Sequence, residues 1–169
     1  PLLKLTEEER PLMGTLFRIV VYAEDEPKAR EAIAAAFARG EEINAICSDY
    51  DPQSELSRLN TRQNEDPIPV STTLATVLAH AVASADATSG LFDPTLGTLT
   101  QLWRQARDTG QLPDLPSLTA ARSATGWQSL HVDQKNNTVR ITKPGLKLDL
   151  GGIAKGFAAD EMLAMLRQK

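Results

Sequence analysis

The stretch LDLGGIAKGFAAD, residues 148–160, sets two glycines, a lysine and a third glycine directly ahead of an alanine-rich helical run. The first N–H groups of a helix lack partners within it and carry partial positive charge, so a glycine turn at a helix start suits an anion. In that reading Gly151 and Gly152 let the backbone approach a phosphate and Lys155 adds a full charge beside it. The segment has neither the G-x-G-x-x-G fingerprint nor the Walker phosphate loop. Its other reading is a tight strand-to-helix turn with a solvated lysine, and both readings stand on these residues alone.

Other residues with chemical capacity are fewer. Tyr50, in the polar loop SDYDPQSELSRLN (48–60), offers an aromatic face to a planar ligand, although a loop tyrosine more often covers core. Phe92-Asp93-Pro94-Thr95 reads as a capped turn. His80 and His131 fall in an expected helix and strand with no carboxylate or thiol at metal-ligand spacing, and neither is assigned a catalytic role. Trp103, Trp127 and Cys47 read as structural. No Gly-x-Ser-x-Gly elbow and no Ser–His or Cys–His pair is present, so no nucleophile is assigned.

These residues need elements to hold them. GTLFRIVVY (14–22) is a strand by its β-branched and aromatic content, after a charged leader over residues 1–12. Glu24 to Pro27 open a helix whose face carries Ala29, Ile33, Phe37 and Ile43 or Ile46, running to about Cys47. Ser54 caps a short helical turn with Leu56 and Leu59, and Leu74, Val77, Leu78, Ala81, Val82 and Ala85 mark a helix from Thr72 that Gly90 ends. Leu99, Leu102, Trp103 and Ala106 predict another helix, stopped at Gly110, with a short helix in the connection to Trp127. LHVD and TVRIT form a hairpin, LKLDL a third strand, and the closing helix buries Phe157, Met162, Leu163 and Leu166. Without βαβ alternation the expected class is α+β, helices around an antiparallel sheet.

At 169 residues the chain has the size of one domain, and 41% hydrophobic residues argue against disorder. A net charge of -4 with scattered basic residues gives no footprint for nucleic acid or an anionic membrane. The single cysteine excludes an internal disulfide framework. No run approaches the ~20 apolar residues of a membrane span, and PLLKLTEEER has no signal-peptide pattern. A start at Pro1 is expected of a processed or trimmed chain whose targeting segment is absent.

Four stretches together carry a resemblance. MGTLF (13–17), SDYDPQSELSRLN (48–60), SGLFDPTLGTLTQLW (89–103) and LDLGGIAKGFAAD (148–160) stand in the order and at the spacing of the ApbE family, the FAD:protein FMN transferases, over nearly the whole chain from Met13 to Lys169. The resemblance implies a T-fold-like flavin-binding domain over 13–169. It also implies magnesium-dependent transfer of FMN from FAD to a threonine hydroxyl of an acceptor flavoprotein, with release of AMP. The acceptor would be a subunit of a membrane redox complex, and the enzyme would be exported, periplasmic or membrane-anchored.

Carried over by position, the resemblance places Met13 and Tyr50 against the isoalloxazine ring, with Ser54 and Asn60 in the same loop system and Asp93 shaping the flavin site. Gly151, Gly152 and Lys155 would hold the pyrophosphate, Asp160 would lie on the nucleotide side, and the Ala154 carbonyl would offer a metal ligand. Members of the family are usually about twice this length. Their other half carries a second glycine-rich segment, a histidine near an Asp-Pro pair and an Asp-Ala motif that completes the metal site. The expectation is therefore an incomplete, amino-terminal portion of such an enzyme. Its alternative is an FAD-binding module or structural relative without transferase activity.

Overall fold

The computed structural model describes residues 2–62 and 66–168; Pro1 and Lys169, the ends of the leader and of the domain read from the sequence, lie outside the described residues. The chain forms two compact units, Pro1–Ile46 with Ala154–Lys169, and Cys47–Ile153.

In the first unit, β1 (Lys4–Leu12) and β2 (Thr15–Ala23) form an antiparallel hairpin in register from Lys4↔Ala23 to Leu12↔Thr15. Residues 4–12, expected as a leader, are thus a strand. Their charges hid it: the inward row is Thr6, Glu8, Arg10 and Leu12, in which Glu8 and Arg10 pair at 2.7 Å. The Arg10 guanidinium lies 4.6 Å from the centre of the Phe37 ring, so its stem covers apolar surface while its charge stays paired. Met13 and Gly14 turn the hairpin with φ of 51° and 72°, the doubly left-handed geometry that matches strand twist.

Helices α1 (Glu26–Cys47) and α6 (Ala154–Arg167) complete this unit. Ile33, Ala36 and Phe37 of α1 meet Leu12, Ile19 and Met162, with Met13, Phe17, Val21, Met165 and Leu166 at the margin. Gly40 permits the approach, since a Cβ there would stand 2.7 Å from Leu12 Cδ2 and 2.9 Å from Met162 Sδ. The buried row of α6 is Ala154, Ala158 and Met162, spaced by four, which turns Leu163 outward to 44% exposure against expectation.

The second unit contains α2 (Glu55–Thr61), α3 (Thr72–Ala87), α4 (Gly97–Thr109), α5 (Leu115–Ser123) and an antiparallel sheet. The sheet orders β3 (Ile68–Pro69), β5 (Thr138–Ile141) and β4 (Leu130–Asp133) as β3-β5-β4, with α3 packed on β4 and α4 on α5. Ser71 caps α3, which buries Leu74, Ala75, Val77, Leu78, Ala81 and Ala85. Of α4 only Gly97 and Ala106 are buried, and Trp103, read from the sequence as structural, is 52% exposed. Helices and antiparallel sheets without βαβ alternation make the α+β class that the sequence predicts. Among the described residues no helix is long and apolar enough to cross a membrane.

Candidate functional site

The segment before the glycine turn is not the third strand that its alternation predicts. Leu146, Leu148 and Leu150 are buried and the residues between them are not, yet among the described residues the one bridge is a parallel one between Lys147 and Leu96. Its backbone groups are met one by one. Asn60 donates Nδ2–H to the Leu148 carbonyl at 3.0 Å and accepts the Leu148 N–H on Oδ1 at 2.8 Å, so one side-chain amide imitates a neighbouring strand. The Asp149 N–H goes to the Pro94 carbonyl at 2.8 Å, and Gly97 N–H donates to the Lys147 carbonyl at 2.9 Å. Gly97 is required there, because a Cβ would lie 2.7 Å from that carbonyl oxygen.

Ser54 is buried as the cap of α2: its hydroxyl accepts the Ser57 N–H at 2.9 Å and donates to the Ser48 carbonyl. Asp93 Oδ1 accepts the Thr95 N–H at 2.8 Å and the Thr95 hydroxyl at 2.6 Å, and that hydroxyl in turn accepts Gly126 N–H at 2.8 Å. Ser54, Asn60 and Asp93 therefore shape the loops from inside.

Tyr50 is different. Its side chain is 71% exposed, and the Arg104 guanidinium carbon sits 4.0 Å from its ring centre. Arg104 also reaches Asp49 Oδ2 at 2.6 Å and Asp149 Oδ2 at 3.3 Å, carboxylates whose side chains are only 8% and 12% exposed. Burial is the largest single influence on Arg104 and lowers its pKa. The hydrogen bond that Arg104 donates to Asp49 and the fields of both carboxylates outweigh it, so the net shift is upward and the cation is fixed. Asp149 Oδ1 accepts the Gly151 N–H at 2.8 Å, which links this cluster to the first residue of the glycine turn. The structure thus brings Tyr50 and Gly151 into one connected set through Arg104 and Asp149, none of whose links the sequence reading named. One signal was available: Asp149 is a carboxylate set between two buried leucines, directly before the glycine turn. Nothing local pointed to Arg104, which is 55 residues from Asp49 and 45 from Asp149.

Gly151 and Gly152 are exposed, and neither has a positive φ. Space rather than dihedral angle explains them: a Cβ on Gly152 would meet the Phe92 ring at 3.0 Å, and one on Gly151 would meet Asp149 Oδ1 at 3.0 Å. In the first unit Met13 packs its side chain at the edge of the apolar cluster. Lys155 and Asp160 are exposed on α6, with Lys155 in its first turn.

Among the described residues no three of His, Cys, Asp and Glu gather to hold a metal ion. Ala154 is 3% exposed and begins α6, so its carbonyl points along the helix axis toward the N–H four residues on.

The ApbE family model matches residues 13–169. The FAD:protein FMN transferase of Chlamydia muridarum is 36% identical over 118 residues, 70% of this chain and 37% of that protein. That of Treponema pallidum is 29% identical over 161 residues, 92% of this chain and 44% of the relative. Among solved structures, the flavin transferase ApbE of Vibrio cholerae superposes with a TM-score of 0.83 at 30% identity, over 98% of this chain and 54% of that one. The ApbE protein of Thermotoga maritima does so at 0.86 and 31% identity, over 98% and 53%. The chain spans roughly half the length of the relatives it matches. It belongs to the ApbE family.

Proposed function

We propose that this chain forms the flavin-nucleotide-binding part of an FAD:protein FMN transferase. The observation that carries the reading is the family match over residues 13–169, with relatives named for that activity along most of the chain. The geometry supports it at two points. Tyr50 presents an open aromatic face backed by a cation, suited to a planar isoalloxazine ring. The Gly151-Gly152 turn is exposed, with backbone that a phosphate can approach closely.

In the proposed reaction a threonine hydroxyl oxygen of the acceptor forms a bond to the phosphorus of the FMN half. The bridging P–O bond breaks, its electron pair leaves with AMP, and the hydroxyl proton passes to a base or to solvent. The contribution of these residues is to bind and align FAD so that its phosphorus meets the incoming hydroxyl. The magnesium dependence belongs to the same proposal, with the Ala154 carbonyl as one candidate ligand. An acceptor in a membrane redox complex and an exported, membrane-anchored location extend the proposal and rest on the same resemblance.

The test supplies the whole protein with FAD, magnesium and an acceptor flavoprotein subunit, and follows acceptor mass and AMP. The expected result is an acceptor heavier by one FMN with AMP released in equal amount. A folded whole protein that binds FAD yet neither modifies the acceptor nor releases AMP sinks the transferase reading.

A further inference from the structure

Tyr50 is an exposed ring on a loop, and an exposed loop aromatic ordinarily samples several rotamers at a cost to any ligand it stacks on. Three features remove that freedom. The guanidinium of Arg104 lies against one face of the ring at 4.0 Å, leaving the other face open. The guanidinium is itself held by two carboxylates on separate segments, Asp49 beside Tyr50 and Asp149 beside the glycine turn, at 2.6 Å and 3.3 Å. Asp149 then holds the Gly151 N–H at 2.8 Å with its other oxygen. Both carboxylates are nearly buried while the ring is not, so the cation has little choice of partner and the ring takes its orientation from it.

From this connected set we infer that Arg104 is a positioning residue for flavin binding: it holds the Tyr50 ring as a preset stacking surface and ties that surface to the Gly151 turn through Asp149. The inference rests on the proposed FAD-binding reading. It assigns Arg104 no contact with the reacting phosphorus. A planar fork is needed, because one side chain must engage two carboxylates edge-on while stacking face-on; a lysine keeps the charge and loses the plane.

The experiment titrates FAD into the whole protein and into its Tyr50→Leu, Arg104→Gln, Arg104→Lys and Tyr50→Leu/Arg104→Gln variants. It follows flavin fluorescence and the stacking-induced shift of the flavin absorption band, with circular dichroism confirming fold. Tyr50→Leu is expected to weaken FAD about tenfold through lost stacking. Arg104→Gln should weaken it about threefold, the scale of one exposed cation–π contact, and reduce the band shift. Arg104→Lys should not restore the shift, and Arg104→Gln should have no further effect once Tyr50 is leucine.

If Arg104→Gln leaves FAD binding unchanged while Tyr50→Leu weakens it, or weakens it equally in both backgrounds, or if Arg104→Lys restores the shift in full, the positioning role is wrong and the flavin site stands. Should Arg104→Gln not fold, Arg104→Lys decides by the band shift alone. Absence of FAD binding by the folded unmodified protein removes the functional reading itself, a different result from any of these.

Discussion

The β1–β2 hairpin and the segment 146–152 both alternate buried and open residues and both contain glycine, yet they are held in different ways. The hairpin pairs backbone to backbone along nine residue pairs and leans on a shared apolar cluster. The second segment has one bridge and takes its remaining backbone partners from an asparagine side chain and a loop carbonyl. A ladder spreads stability over many equal bonds. Piecemeal pairing concentrates it in a few residues, and leaves the chain beyond them free to follow a turn rather than a sheet.

The hairpin is most sensitive at Phe37, which is fully buried in the cluster beneath it. Phe37→Ala is expected to cost about 3–5 kcal/mol, transfer loss plus cavity, measured as the fall in unfolding free energy in urea. A cost under about 1 kcal/mol would mean that the ladder, not the cluster, carries the hairpin. Next is Asn60→Ala, which strips the Leu148 N–H and carbonyl of their partners at a residue 1% exposed. It should cost about 2–3 kcal/mol. Asn60→Asp keeps the acceptor but sets a carboxylate oxygen against the Leu148 carbonyl, so it should cost at least as much as Ala in the same titration.

That contrast also decides what was legible in the sequence. The hydrophobic period placed α1, α3 and the β4–β5 hairpin because their buried rows are apolar and local. Residues 4–12 were missed because an ion pair occupies half of the strand's inward row. LKLDL was misread as a ladder strand because alternation reports which side chains are buried, not what the backbone bonds to. Within the candidate site, Tyr50 and the glycine turn stood out by residue type. The Arg104, Asp49 and Asp149 contacts did not, since pairs separated by 45 and 55 residues leave no periodic trace.

Glycine sharpens the comparison further. Gly14 has φ of +72° with open space around its Cβ position, so Gly14→Ala meets no clash and only the left-handed penalty. The expected cost is about 1 kcal/mol, read as a lower unfolding midpoint, with Gly14→Asn recovering much of it because asparagine tolerates that region.

The smallest expected effect has the opposite sign. Gly156 lies in the first turn of α6, exposed, without a positive φ and with nothing within 4 Å of a built Cβ. Fold alone therefore gives no reason for glycine there, and Gly156→Ala should stabilise the protein by roughly 0.5–1 kcal/mol through lower entropy of the unfolded chain and better helix propensity. A glycine kept at a helix start against its own stability is consistent with close approach by something else. If that is the nucleotide phosphate of the proposed function, the added methyl should raise the unfolding midpoint and weaken FAD binding in the same sample. A raised midpoint with FAD affinity unchanged would take the phosphate away from this turn of α6.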